Sequence, residues 1–265
     1  FLADRAGHRD QGTDWQPSRS LAPALRPATP GCRDPEGLQR YVDECAERLW
    51  KPEGRAIRRW LTNVRSIPAD VLAQNRIGVD LGARYQDRPD GIPRAHGAVL
   101  PTIADGRAVY AQIRVPHPDP DRPRYLNPRA DLASNPKLTR MRPAGCRQPE
   151  VIVTEGAIDA LSAATAGYRA VGVLSATYGD ESVALALARL PHPLVLAFDA
   201  DDAGQAGADR LATLLGARDR TPVRIDLGTG DLNDAMRRSD DWPACLESAV
   251  DRAMATRSVG AGVER

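Results

Sequence analysis

From Leu38 through Tyr41, Val42, Cys45 and Leu49, apolar residues recur at spacings of three and four, and a second stretch of the same period runs from Ile57 through Trp60 and Leu61 to Val64. Both predict amphipathic helices, and Pro68 opens a short third one. The period then changes. Ala98 to Ile103 and Ala108 to Val115 read as two strands, and Ala104-Asp105-Gly106-Arg107 between them supplies turn chemistry, so the pattern predicts a β-hairpin. Beyond Pro149, short apolar runs alternate with helical stretches. Strands are expected at Val151–Val153, Ala170–Leu174, Leu194–Phe198 and Pro222–Ile225, and helices at about Ala157–Ala166, Ser182–Arg189 and Ala203–Leu215. Such alternation predicts an α/β fold, a mainly parallel sheet flanked by helices, with an α+β subdomain in front of it. A last amphipathic stretch carries Trp242, Cys245, Leu246, Val250 and Met254.

This pattern divides the chain of 265 residues into four parts. Residues 1–36 hold five prolines among Ser, Ala, Arg and Asp, too little apolar surface to offset ordering entropy, and are expected to be a disordered tail or linker. Residues 37–148 are the α+β subdomain, 149–236 the parallel α/β domain, and 237–265 a C-terminal helix and tail. The chain begins at Phe1, as expected of a piece of something longer. No uninterrupted apolar run reaches membrane-spanning length and no signal-like start is present, so a cytoplasmic protein is expected. Cys32, Cys45, Cys146 and Cys245 lie far apart without a CxxC pair, and His96, His117 and His192 are isolated, so no zinc is expected.

Charge adds what the periodicity leaves out. The whole chain is balanced, 36 basic against 35 acidic residues, but the balance is not local. Nine basic residues face four acids between Asp105 and Arg147, whereas eight acids face four arginines between Asp199 and Asp234. The acids follow strand ends: Thr154-Glu155-Gly156, Phe198-Asp199-Ala200-Asp201-Asp202-Ala203-Gly204 and Gly230-Asp231-Leu232-Asn233-Asp234. Ligands of parallel sheets sit beyond the carboxyl ends of the strands. Each acid alone reads as a helix cap or first-turn residue. Three acidic strand ends on one edge repel one another, and hard oxygen donors without His or Cys favour Mg²⁺ or Mn²⁺.

Glu155-Gly156-x-x-Asp159, Phe198-Asp199-x-Asp201-x-Ala203-Gly204 and Gly230-Asp231-Leu232-Asn233-Asp234 together resemble the TOPRIM domain shared by bacterial primases, topoisomerases and some nucleases. Leu100-Pro101-x-Ile103, Asp105-Gly106-Arg107, Gln112-Ile113-Arg114 and Arg124-Tyr125-Leu126-Asn127-Pro128 look like the amino-terminal subdomain of the DnaG-type primase core, and Arg65-Ser66-Ile67-Pro68 with Arg76-Ile77-Gly78 is similar to its helical lead-in. The resemblance spans about Leu38 to Met236.

It implies a primase catalytic core that makes short RNA primers on single-stranded DNA from ribonucleoside triphosphates. Glu155, Asp199 and Asp201 would be catalytic metal ligands, with Asp231 and Asn233 contributing and Asp159 a supporting acid. The metal would be Mg²⁺ or Mn²⁺. Arg114, Arg124, Tyr125, Asn127, Lys137 and Arg140 would line a groove for nucleotide or template. Two departures stand out: the family's closing Asp-x-Asp is Asp231-Leu232-Asn233 here, and the position after Asp201, often arginine in bacterial primases, is Asp202, as in phage primase-helicases. The second points to a phage or mobile-element relative. The zinc-ribbon module and the full third helical subdomain are not recognisable in this sequence, so a replicative helicase, if one is used, is expected to act in trans or to belong to a removed segment. A TOPRIM nuclease using the same acids on water, and a non-catalytic DNA-binding replication or adaptor module, are the alternative readings.

Overall fold

The computed structural model describes residues 31–116, 123–146, 148–174, 180–226, 228 and 230–260. Helix α1 (Pro35–Trp50) starts where Asp34 accepts a hydrogen bond from the Gly37 amide at 2.9 Å and Pro35 occupies the first turn. Its stripe of Leu38, Tyr41, Val42, Cys45 and Leu49 is fully buried, as the spacing predicts. The second periodic stretch is α2 (Arg55–Arg59) continued by a π turn over Trp60–Val64, and α3 (Ala69–Gln74) follows Pro68. Of the expected N-terminal tail, residues 1–30 lie outside the described residues. Cys32 already bridges to Ala133, and Pro35 and Glu36 are helical.

Strands β1 (Gly78–Leu81), β2 (His96–Ala104), β3 (Arg107–Arg114) and β4 (Tyr125–Leu126) form an antiparallel sheet in that order. The β2–β3 hairpin closes on Asp105 and Gly106, both at positive φ (49° and 80°), the two-residue turn whose twist matches the strands. The periodicity does not predict β1 or β4; both are short, and their burial comes from α1 and from the second sheet rather than from their own pattern.

The second sheet has the order β5-β7-β6-β8-β9, from Leu138–Met141, Arg169–Val173, Val151–Thr154, Leu194–Ala197 and Val223–Arg224. β7, β6, β8 and β9 run parallel, and β5 is an antiparallel edge strand. This is the mainly parallel sheet that the alternation predicts, flanked by α4 (Ala157–Thr165), α5 (Glu181–Ala188) and α6 (Asp202–Gly216). β5 lies before the break expected at residue 149 yet pairs with β7, Leu138 opposite Val173. Helices α7 (Leu232–Arg238) and α8 (Trp242–Gly260) follow. No helix among the described residues is long and apolar enough to cross a membrane.

The two sheets share one core. Leu49, Trp60, Leu61, Ile67, Leu72 and Ile77 from the front half pack in the same cluster as Ile152, Leu161, Val195, Trp242 and Leu246. A cavity in that cluster weakens both halves. Leu161→Ala is therefore expected to cost roughly 2–5 kcal/mol, with calorimetry still showing one transition; two separated transitions would mean that the halves unfold independently.

Candidate functional site

In the second sheet the chain leaves β6 to one side for β7 and returns on its other side as β8, so the crevice between β6 and β8 is a topological switch point. Thr154 stands opposite Ala197, the last residue of each strand, which places Glu155 and Asp199 side by side just beyond the sheet. They are joined directly: Glu155 Oε1 accepts the Asp199 amide at 2.9 Å. Gly204, in the first turn of α6, is pressed against this pair. A Cβ there would stand 2.3 Å from the Asp199 carbonyl oxygen and 2.5 Å from Glu155 Oε1, so only glycine lets the helix approach.

Asp201 caps α6 by accepting the Gly204 amide at 2.7 Å, and Asp231 caps α7 by accepting the Asp234 amide at 2.6 Å. The capping reading thus holds for Asp201 and Asp231, whereas α4 has no side-chain cap and Glu155 accepts the Asp199 amide instead. Burial, then the negative charges of Glu155, Asp231, Asp201 and Asp234, push the Asp199 carboxyl up to about 7. Asp159, on the first turn of α4, lies well above the usual carboxylate range because it is buried and faces Asp231; the Asn233 amide, 3.1 Å from Asp159 Oδ1, pulls the other way. The donor set is all oxygen and carries more negative charge than its surroundings neutralise, which suits a hard divalent cation. Among the described residues, no three His, Cys, Asp or Glu side chains are gathered tightly enough to chelate an ion as they stand.

A cationic aromatic stack borders the acids. The Arg114 guanidinium, at the end of β3, lies 5.0 Å from the Tyr125 ring centroid and 5.9 Å from that of Trp60, and Arg65 covers Trp60 at 5.2 Å. Arg114 is buried, with Nη1 donating to the Val115 carbonyl at 2.5 Å. The Nε atoms of Arg65 and Arg114 are buried without a hydrogen-bond partner. A Cβ at Gly156 would be 3.7 Å from both the Tyr125 hydroxyl and Asp159 Oδ2, so the first sheet meets the acidic edge at this turn. Burial and the Asp159 carboxylate push the Tyr125 phenol up to about 12.

The remaining expected residues separate. Arg124 is exposed beside Tyr125, and exposed Asn127 accepts from Gln112 Nε2 at 2.8 Å. Lys137 stands beside Leu174 at the carboxyl end of β7, where its ammonium is ion-paired to Asp180 and donates to Ser182 Oγ at 3.2 Å, tying the start of β5 to α5 and holding the Asp180 carboxyl down at about 2. Arg140 is exposed in mid-strand on β5, opposite Val171, away from the strand ends. Asn233 turns inward. It is wholly buried, its amide nitrogen donates to the Arg65 carbonyl at 2.8 Å and to Ser162 Oγ at 2.9 Å, and its amide oxygen accepts from Arg65 Nη1 at 3.2 Å. Arg65 and Trp60 are the site residues that sequence reasoning missed. Their motif was legible only as a lead-in, and nothing local distinguishes Arg65 from the other arginines.

The raised Asp199 carboxyl has a sign. The folded chain holds this proton more tightly than the unfolded one, so its penalty is absent below about pH 4, grows as pH rises toward 7 and is complete above it. In metal-free buffer Asp199→Asn is expected to stabilise the chain at pH 8 by on the order of 2 kcal/mol and to change nothing at pH 4. Thermal melts that show equal shifts at both pH values would reject charge repulsion as the cause.

Residues 152–236 match the family described as Toprim-like. No curated protein matches the chain. Among solved structures it is similar to a DnaG primase catalytic domain bound to single-stranded DNA, at 21% identity and TM-score 0.62, over 82% of this chain and 81% of that one. It is similar to a DnaG catalytic core at 22% identity and TM-score 0.60, over 80% of each chain. The RNA polymerase domain of Mycobacterium tuberculosis primase DnaG aligns at 19% identity and TM-score 0.61, over 84% of this chain and 85% of that one. The chain thus has the fold of a DnaG-type primase catalytic core, within which residues 152–236 match the Toprim-like family.

Proposed function

We propose that this chain is a DNA primase core that synthesises short RNA primers on single-stranded DNA by metal-dependent nucleotidyl transfer. The observation that carries this reading is the pairing of opposites at the switch point. Glu155 and Asp199 sit beyond β6 and β8, with Asp231 and Asp159 close by, and the half-buried Arg65 and buried Arg114 border them with unpartnered, buried Nε atoms. An unpaired buried donor is costly. A triphosphate would satisfy both features, its oxygens on the guanidiniums and its bound cation on the acids.

Mg²⁺ or Mn²⁺ fits the donor chemistry, and Glu155, Asp199, Asp201 and Asp231 would hold it. Such an ion, when bound, neutralises triphosphate charge and lowers the pKa of an attacking hydroxyl. The chain's own part is positioning. The Asp199 backbone amide holds the Glu155 carboxylate at the head of β8, Gly204 lets α6 close behind it, and Arg65 and Arg114 orient the anion. Tyr125 walls the crevice, and exposed Arg124 with Asn127 extends it toward a template strand. The setting we propose is cytoplasmic replication by a phage or mobile-element protein, with any helicase acting in trans.

Incorporation of labelled ribonucleotides on unprimed single-stranded DNA tests the reading, with labelled DNA included to detect cutting. Glu155→Gln keeps an oxygen for the Asp199 amide but loses the charge, and it is expected to lower synthesis roughly a hundredfold or more with a melting temperature no lower than that of the wild type. Metal-dependent cutting without synthesis would favour the nuclease instead. Arg124→Ala is expected to reduce the slope of log affinity against log salt for single-stranded DNA by about 0.7; an unchanged slope would remove Arg124 from the groove.

A further inference from the structure

We infer that Asn233 is a positioning residue, a buried latch that sets the Arg65 guanidinium against the acidic edge, and that this site selects an amide over a carboxylate. The inference rests on the proposed function for what Arg65 binds, but not for the latch itself. Asn233 stands where the resemblance places the second acid of an Asp-x-Asp pair. Its surroundings are those of a donor. The side-chain nitrogen faces two acceptors, the Arg65 carbonyl at 2.8 Å and Ser162 Oγ at 2.9 Å. A carbonyl cannot donate, and the Ser162 hydroxyl spends its hydrogen on the Ile158 carbonyl at 3.1 Å, so both need a hydrogen from residue 233. This fixes the orientation of the amide and leaves its oxygen to Arg65 Nη1.

The same residue holds the other half of the site. Its backbone amide donates to Asp159 Oδ1 at 3.1 Å. One residue therefore grips the anion-facing arginine by its side chain and the supporting acid by its backbone, while Ser162 ties the latch to α4 and the Ser162 carbonyl accepts from Trp242 Nε1 at 2.7 Å. Arg65 needs such a grip. It ends the π turn next to Ser66, which has positive φ (57°), and its guanidinium carries no carboxylate ion pair among the described residues. Asp at 233 would offer no hydrogen to either acceptor and would bring one more negative charge beside Asp159.

The test uses the full chain, labelled with ¹⁵N-arginine, and compares wild type, Asn233→Asp, Asn233→Ala, Arg65→Ala and the Asn233→Ala/Arg65→Ala double variant. The Arg65 Nε–H signal, assigned by its loss in Arg65→Lys, is expected to be protected in wild type and to join the exposed arginines in both Asn233 variants. Affinity for a fluorescent ribonucleoside triphosphate is expected to fall about tenfold in each single variant and no more than twofold further in the double variant, the mark of a shared pathway. Mn²⁺ affinity, read by electron paramagnetic resonance, is expected not to rise in Asn233→Asp. Tighter Mn²⁺ binding by Asn233→Asp, an unmoved Arg65 signal, or fully additive losses would each overturn the latch. Should the Asn233 variants fail to fold, Ser162→Ala removes one acceptor and is read by the same Arg65 signal, which is expected to lose protection and whose constancy would overturn the latch. A wild-type chain that binds no triphosphate would sink the primase reading, and the Arg65 signal alone would then decide the latch.

Discussion

Negative charge concentrated at one point of a parallel sheet is the constraint around which this molecule is arranged. Two adjacent strands, β6 and β8, end level with one another, and an acid follows each within two residues. Burial and neighbouring carboxylates then hold the Asp199 proton far above its ordinary range. Such an edge persists only because other parts of the fold accept it. Amides at the starts of α6 and α7 bond Asp201 and Asp231, and the Asp199 amide bonds Glu155. These bonds restrain the carboxylates without neutralising them.

The front half of the molecule supplies the opposite charge in an equally committed form. Arg65 and Arg114 are stacked with Trp60 and Tyr125, so their guanidiniums are held by ring faces rather than by carboxylates. Burial lowers the Arg114 pKa, a sign that its charge is poorly solvated. Ring stacking leaves the guanidinium edge available to an anion, which an ion pair would not. Lys137 shows the contrast: paired to Asp180, it fastens β5 to α5 and has its charge met by a carboxylate.

Rigid relation between the two halves follows from the shared core and from Asn233. Helices α2 and α3, with the π turn between them, bury Ile57, Trp60 and Leu72 in the same cluster as the apolar sides of α4 and α8, so the arginine of the front half rests on the packed residues that also carry the acids of the second. Capping and the proposed metal binding also draw on the same side chains. Asp201 and Asp231 shape the helices that follow them while presenting charge to the edge, which is why helix-cap reasoning and metal-site reasoning point to the same residues.

Elements with their own period were determined by the sequence. The α1 stripe, the Asp105-Gly106 hairpin and the strand and helix alternation after Pro149 are local regularities, and each recurs in the structure within a residue or two. The acids at the strand ends were legible for the same reason, since position after a strand is a property of the chain. β1, β4 and β5 were not, because they stand outside the regular strand and helix alternation that marks β6 to β9 and their pairing is decided by distant partners. Only the tertiary structure drew Arg65 to the site from far along the chain, paired Lys137 with Asp180, set Arg140 in mid-strand, and turned Asn233 inward. The physical reason is that a side chain's type is written in the sequence, whereas the partners that satisfy its hydrogen bonds and charge are set by which surfaces the fold brings together.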